Sequence, residues 1–261
     1  MTITKKFLLC SLTLALAAVG ASSAQAAFSS FVIREGANGA PAILPNNVYQ
    51  PGATEFVIAE GGQKAALGSS VVDGYKVGEI TQLAVVRLDD RDRFSAGSGP
   101  NVAPYFNIWI TDGVGNYAVI ANEPSNADFQ SLYSNGYDLD WSDISGKVAK
   151  VYENNDKSWL PNNGVGLTFA DLANYTIQAP SVAELTTGWA GLGSGAPREL
   201  GTNVSYGFNW VFGDTLSNYV ADMEGFVVAG PVAAAVPEPA TLAMIGLSAF
   251  GAVMLRRRRA S

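Results

Sequence analysis

Apolar and polar residues alternate with a period of two in two stretches of the chain. In residues 105–110, Phe106, Ile108 and Ile110 fall on one side of an extended chain. The pattern recurs at 206–212, where the residues on one side are all aromatic: Tyr206, Phe208, Trp210 and Phe212. This period is typical of β-strands that bury one face. The Thr-Asp-Gly-Val-Gly-Asn sequence after the first stretch indicates a hairpin turn.

Further short apolar or aromatic runs, separated by Gly, Asn, Asp and Pro, extend this pattern along the chain. The predicted strands are 31–34, 55–59, 79–88, 104–110, 117–121, 148–153, 175–178, 204–212 and 223–229. Helical periodicity is weak and confined to 126–133 and 181–187. The pattern therefore predicts an all-β fold, an antiparallel β-sandwich or jelly-roll-like single domain.

The N-terminal residues have the pattern of a secretory signal peptide. Two lysines precede an apolar stretch at 7–19, and an Ala-Gln-Ala sequence ends at Ala26. This order predicts cleavage between Ala26 and Ala27. Cys10, the only cysteine, lies within the apolar stretch and would be removed with it.

A second apolar segment, residues 240–255, follows the motif Pro237, Glu238 and Pro239. A helix of 16 residues spans about 24 Å at 1.5 Å per residue, so we expect a single short transmembrane helix. Proline fits poorly inside a helix, which leaves Pro-Glu-Pro extended and accessible. The segment ends in a basic cluster that favours a cytoplasmic location: Arg256, Arg257, Arg258 and Arg259.

Pro-Glu-Pro, a short hydrophobic helix and an arginine cluster, in this order, closely resemble the PEP-CTERM protein-sorting signal of Gram-negative bacteria. The resemblance implies recognition by an exosortase, a membrane-embedded cysteine protease or transpeptidase, with cleavage near the motif. It also implies transient anchoring in the inner membrane, followed by delivery to the cell surface or the extracellular matrix. The alternative is an ordinary membrane anchor in which Pro-Glu-Pro is only a linker.

These signals divide the chain into a signal peptide at 1–26, a β-rich exported domain at 27–229, a small flexible stalk at 230–235 and the sorting signal at 236–261. Without the two signals, 10 basic and 22 acidic residues remain, a net charge near −12. Such a charge disfavours nucleic acid and suits solubility outside the cell or cation binding. The charged run at 89–93 is expected to form a solvated loop with local ion pairs.

The composition restricts the chemistry available to the exported domain. The chain contains no histidine, which excludes Ser-His-Asp catalysis and the common zinc sites. Removal of Cys10 also excludes thiol catalysis and disulfides. A glycan-acting hydrolase or lyase would need two facing carboxylates, but no spacing selects a pair among the candidates, which include Glu55, Glu123, Glu153, Glu199 and Glu224.

Two groups of residues are candidates for binding. Asp138, Asp140 and Asp143 place carboxylates close together in a predicted loop, and oxygen ligands are what Ca²⁺ requires. The alternative is that they cap turns or a short helix. Tryptophans in alternating strands are expected in the core, whereas three in polar or Gly-rich loops are candidates for stacking on sugars: Trp141, Trp159 and Trp189.

The sequence therefore favours an exported, non-enzymatic structural or carbohydrate-contacting module, sorted by an exosortase and placed at the cell surface or in the extracellular matrix. Its expected partners are the exosortase, the inner membrane during transit and extracellular polysaccharide. No cofactor is expected other than the calcium considered above. The glycan-acting hydrolase or lyase remains the alternative.

Overall fold

A computed structural model describes residues 27–46, 51–89, 104–122, 126–153, 157–186, 200–213 and 225–236. In chain order, the strands in these ranges are β1 (Ser29–Arg34), β2 (Ala42–Pro45), β3 (Thr54–Val57), β4 (Lys64–Ser69), β5 (Ile80–Arg87), β6 (Tyr105–Thr111), β7 (Tyr117–Ala121), β8 (Gly136–Leu139), β9 (Lys150–Glu153), β10 (Thr176–Ile177), β11 (Phe208–Phe212) and β12 (Phe226–Ala235). Short helices are α1 (Ala127–Gln130), α2 (Trp141–Ile144) and α3 (Val182–Leu185), with 3-10 turns at Val77–Glu79 and Pro161–Gly164.

The strands form two antiparallel sheets. The first has seven strands, in the order β1-β4-β11-β6-β7-β9 with β10 also paired to β6. The second has five, in the order β2-β3-β12-β5-β8. The prediction of a mostly β, antiparallel fold is confirmed.

Aromatic contacts between the sheets show that they pack face to face. Phe56 of β3 stacks on Phe212 of β11 with 4.2 Å between ring centroids. Tyr137 of β8 lies parallel to the indole of Trp210 at 5.8 Å. Opposed aromatic rings of this kind fill the layer between the sheets of a β-sandwich.

The alternation within β6 is confirmed by burial on both faces of the first sheet. Phe106, Ile108 and Ile110 are fully buried in the main core between the sheets. Trp109 points to the opposite face, where it is buried in a second cluster that includes Leu185 of α3. The first sheet therefore has apolar side chains covered on both faces.

The predicted alternation places Tyr206 on the same face as Phe208, and this is wrong. Strand β11 begins only at Phe208, and Tyr206 instead packs against Phe31 of β1, with 5.6 Å between ring centroids. The N–H of Gly207 donates to an oxygen of Asp73 at 3.1 Å. Because this N–H bonds to a loop carboxylate rather than to a neighbouring strand, the alternation of β11 does not extend back to Tyr206.

Three strands, β2, β4 and β8, were not predicted from the sequence. The most important is β4, which pairs with both β1 and β11 and is buried throughout. Its sequence Lys-Ala-Ala-Leu-Gly-Ser has no β-branched residue and no aromatic residue. Glycine is nevertheless favoured at Gly68, because a Cβ atom there would lie 2.4 Å from the Tyr206 ring.

Residues 230–235 are not a flexible stalk, as the small residues predicted, but the second half of β12. Ala233 pairs with Leu83 of β5 and is buried, and Ala235 pairs with Ile80. The ladder shifts register between Ala229 and Val232, and Gly230 has φ of 55°. Gly230 and the proline after it therefore mark a bulge within the strand rather than its end.

The charged run that begins at Asp89 does not start as a solvated loop. Nε of Arg87 donates to the two carboxylate oxygens of Asp89 at 2.8 and 2.9 Å, and Nη2 also contacts this carboxylate. The side chains of Arg87 and Asp89 are only 1% and 4% exposed. Asp89 also accepts a hydrogen bond from the N–H of Val227 at 3.0 Å, so this buried ion pair joins β5 to β12.

Candidate functional site

The end of β12 carries the chain directly to the predicted processing motif. Beyond the pairing of Ala235 with Ile80, the N–H of Val236 donates to the carbonyl oxygen of Glu79 at 2.9 Å. Glu79 ends the 3-10 turn that precedes β5, and its carboxylate accepts a hydrogen bond from the N–H of Lys76 at 2.6 Å. The sheet therefore holds the chain through Val236, the residue immediately before Pro237.

The motif residues Pro237, Glu238 and Pro239 lie outside the described residues. The same holds for the predicted membrane segment at 240–255 and for its basic cluster, Arg256, Arg257, Arg258 and Arg259. None of the helices in the described ranges combines the length and apolar character needed to cross a bilayer.

The first described residues lie close to the predicted signal cleavage site. Ala27 is exposed, whereas Ala26 lies outside the described residues. The half-buried ring of Phe28 meets Phe208 edge to face at 6.2 Å, and β1 begins at Ser29. The first strand of the sandwich thus begins two residues after the predicted cleavage site.

Two of the three candidate sugar-binding tryptophans are described, and both are half-buried against the main core. Trp141 is the first residue of α2. Trp159 meets Tyr175 edge to face at 5.3 Å, and the Tyr175 hydroxyl donates to the Trp159 carbonyl oxygen at 3.4 Å. Trp189 lies outside the described residues, and within them Trp159 forms a pair with Tyr175.

Asp140 and Asp143 form a capping box at the start of α2. A carboxylate oxygen of Asp140 accepts hydrogen bonds from the N–H of Ser142 at 2.7 Å and of Asp143 at 3.1 Å. Asp143 in turn accepts from the N–H of Asp140 at 2.9 Å. Hydrogen bonding with Ser142 and Asp143 lowers the pKa of Asp140. These contacts correspond to the capping alternative considered from the sequence.

Asp138 lies apart from this capping box. Its carboxylate accepts from the side-chain amide of Gln82 on β5 at 2.8 Å. In the part of the chain that the structure describes, no group of three or more acidic, histidine or cysteine side chains is placed to hold a metal. The contacts around Asp138, Asp140 and Asp143 therefore account for these carboxylates through a strand pair and a helix cap.

Replacing Asp140 with alanine is expected to lower the free energy of unfolding, because two N–H groups at the start of α2 lose their acceptor. Chemical denaturation measures this loss. Asp140→Asn is the matched control, since asparagine caps helices about as well as aspartate. Equal losses in the two variants would contradict a capping role.

The described glutamate among the proposed catalytic candidates is engaged in the second sheet. Glu55 of β3 accepts a hydrogen bond from the N–H of Gly225 at 3.0 Å. Glu123, Glu199 and Glu224 lie outside the described residues, as does the side chain of Glu153. The described geometry thus selects no facing pair of carboxylates for glycan chemistry.

Among the described carboxylates, Asp73 has a strongly raised pKa. It lies in the connection between β4 and β5, and burial raises its pKa from 3.8 to about 6. Hydrogen bonds with the Ser70 side chain and the N–H of Gly207 act in the opposite direction. The raised pKa is therefore a consequence of the burial of Asp73, which the two hydrogen bonds only partly offset.

Wild-type protein is expected to lose thermal stability relative to Asp73→Asn as the pH rises from about 4 to about 7. The folded state binds the Asp73 proton more tightly than the unfolded state, so stability falls as the pH rises from 3.8 through about 6. Asparagine keeps an oxygen acceptor for Gly207 but does not titrate. Thermal unfolding across this range measures the difference, and a pH-independent difference would contradict the raised pKa.

Comparison with known proteins shows a similarity in the C-terminal residues of the chain. Residues 235–259 match the family model of the PEP-CTERM protein-sorting motif. No curated protein and no solved structure matches the chain. The match begins at Ala235, the last residue of β12, and it includes the Pro-Glu-Pro sequence and the arginine cluster. The chain therefore carries a PEP-CTERM sorting motif at its C-terminal end, which supports export and sorting by an exosortase.

Proposed function

We propose that the β-sandwich acts at the cell surface or in the extracellular matrix as a non-enzymatic structural module that contacts polysaccharide, after an exosortase has cut at Pro-Glu-Pro. The observation that carries this proposal is the position of the sorting motif. Strand β12 is part of the second sheet and reaches Ala235, where the family match begins. The sorting signal is thus attached to the sandwich itself.

The proposed polysaccharide contact rests on Trp159 and Tyr175. Their rings form an edge-to-face pair, and both side chains are partly exposed. Aromatic faces of this kind stack on the apolar faces of sugars, and a ring held by a neighbour loses little conformational freedom on binding. The negative charge of the exported part, near −12 without the two signals, favours neutral or calcium-bridged polysaccharide over free polyanions.

The test is retention of the mature protein, purified from outside the producing cells, on the extracellular polysaccharide of the same organism. We expect retention without release of soluble sugar, and we expect Trp159→Ala to reduce it. Tyr117→Ala is the matched control, because it removes a half-buried aromatic ring elsewhere on the sandwich that is not a candidate for binding. Thermal unfolding of both variants checks that the fold persists.

The outcomes distinguish the two functional classes. Absence of retention would contradict the polysaccharide contact, and equal retention of both variants and wild type would contradict the role of Trp159. Release of soluble sugar would favour the hydrolase or lyase alternative over a binding module.

A further inference from the structure

The last strand and the sorting motif overlap in the sequence. The family match starts at Ala235, yet Ala235 pairs with Ile80, and Val236 donates its N–H to Glu79. The residues just before the Pro-Glu-Pro motif therefore have their backbone groups in a sheet. In the described part of the chain, no residue separates this pairing from Pro237.

Proteolytic enzymes commonly bind a substrate as an extended chain and form hydrogen bonds to its backbone on either side of the bond to be cut. The backbone of Ala234, Ala235 and Val236 lies next to β5 instead. A chain segment cannot pair with β5 and with an enzyme through the same backbone groups. These two pairings are therefore in competition.

The short stretch of chain between the sandwich and the membrane further restricts access of the enzyme to the motif. The predicted membrane segment begins at residue 240, four residues after Val236. At 3.3–3.6 Å per extended residue, these four residues reach about 14 Å. The folded sandwich thus lies within about 14 Å of the bilayer segment while the tail is attached, which leaves little chain for an active site to hold.

We propose that the end of β12 leaves the sheet before the Pro-Glu-Pro motif is cut, so that the pairing of Ala234 and Ala235 with β5, and of Val236 with Glu79, limits the rate of processing by the exosortase. This inference rests on the exosortase processing described above. Each backbone hydrogen bond that must open first reduces the cleavable population by roughly two- to tenfold. The sandwich thereby controls access to its own sorting signal.

A disulfide clamp tests the proposal directly. Ala234 of β12 pairs with Gln82 of β5, and neither side chain is buried. Directly paired antiparallel residues have Cα separations of about 4.5–5.5 Å, within the range that a disulfide accepts. We expect the double variant Gln82→Cys/Ala234→Cys, in full-length precursor, to be processed about tenfold more slowly than wild type when oxidised. Reduction of the bond should restore the wild-type rate.

A second clamp controls for the disulfide itself. Pro45 of β2 pairs with Thr54 of β3, and Pro45→Cys/Thr54→Cys joins two strands without fixing the end of β12. We expect this variant to be processed at the wild-type rate. Cys10 does not interfere, since it lies within the predicted signal peptide.

A linker variant provides the opposite change. A flexible Gly-Ser insertion between Ala235 and Val236 frees the motif while the preceding pairs remain, and we expect processing about tenfold faster than wild type. The same insertion after Val114, which is 83% exposed in the β6–β7 turn, should leave the rate unchanged. Combining the linker with the Gln82–Ala234 clamp should abolish the inhibition by the clamp.

Pulse–chase conversion of precursor to the shorter form, in cells that contain the exosortase, measures all these rates. Equal processing of wild type and the oxidised Gln82–Ala234 clamp would overturn the inference, as would a linker without effect. Failure of wild type itself to be processed would instead overturn the exosortase assignment, so the two failures are distinguishable.

Discussion

Replacing Trp210 with alanine is expected to lower the free energy of unfolding by about 3–5 kcal/mol. The Trp210 side chain is fully buried between the sheets. Its indole contacts Phe208 at 5.5 Å and Phe106 at 5.8 Å, both edge to face, and stacks on Tyr137. Alanine would leave a cavity lined by these rings, because strands fixed in two sheets cannot close around it. Urea denaturation measures the loss. We expect the dependence of the unfolding free energy on urea concentration to stay unchanged.

The variant Trp210→Phe distinguishes the loss of packing volume from the loss of the indole N–H. The indole N–H has no hydrogen-bond partner within the described structure, so phenylalanine removes a buried donor as well as some volume. We expect Trp210→Phe to cost less than half as much as Trp210→Ala. Similar losses for the two variants would contradict a contribution dominated by packing volume.

Removal of either partner of the Arg87–Asp89 ion pair is expected to destabilise the fold by about 3–5 kcal/mol, since the remaining charge stays buried. Asp89→Ala also removes the acceptor for the N–H of Val227. Arg87 lies over the Phe226 ring, 5.1 Å from its centroid. Loss of the pair therefore affects the start of β12 as well as the end of β5.

The double variant Arg87→Met/Asp89→Leu provides the test of this explanation. Apolar residues of similar size leave no buried charge, and we expect the double variant to be more stable than either single alanine variant. As a control, Asp138→Ala removes only the exposed hydrogen bond with Gln82 and should change the free energy of unfolding by less than about 0.5 kcal/mol. Additive losses in the double variant would contradict the ion-pair account.

The sequence predicts those strands that contain alternating aromatic residues, because burial of one face imposes a period of two. It does not predict β4, whose Ala, Leu and Gly residues have no such period. The close approach of Tyr206 to Gly68 and the pairing of β4 with β11 involve residues far away in the sequence. The break seen at Gly230 is a bulge that only the pairing with β5 reveals. Likewise, a local charge pattern does not show that Asp89 turns inward to Arg87.

The candidate sites also differ in how much of each can be predicted from the local sequence. The sorting motif can be recognised because all its features are adjacent in sequence, and the family match confirms it. Its attachment to the sheet depends on Glu79 and Ile80, which are more than 150 residues away. Among the candidate binding residues, Asp140 and Asp143 cap α2, whereas the partner of Trp159 is Tyr175. The cap joins residues three apart and was considered from the sequence as an alternative, whereas the Trp159–Tyr175 contact joins residues 16 apart and has no local signal.

The central claim is that an exosortase releases this sandwich by cutting at the motif that follows β12. Intact-mass spectrometry of the protein recovered outside the producing cells, compared with the protein from cells that lack the exosortase, tests it most directly. We predict a chain that begins at Ala27 and lacks residues 240–261 in the first case, and a retained tail in the second. An identical C-terminus in both would contradict the account.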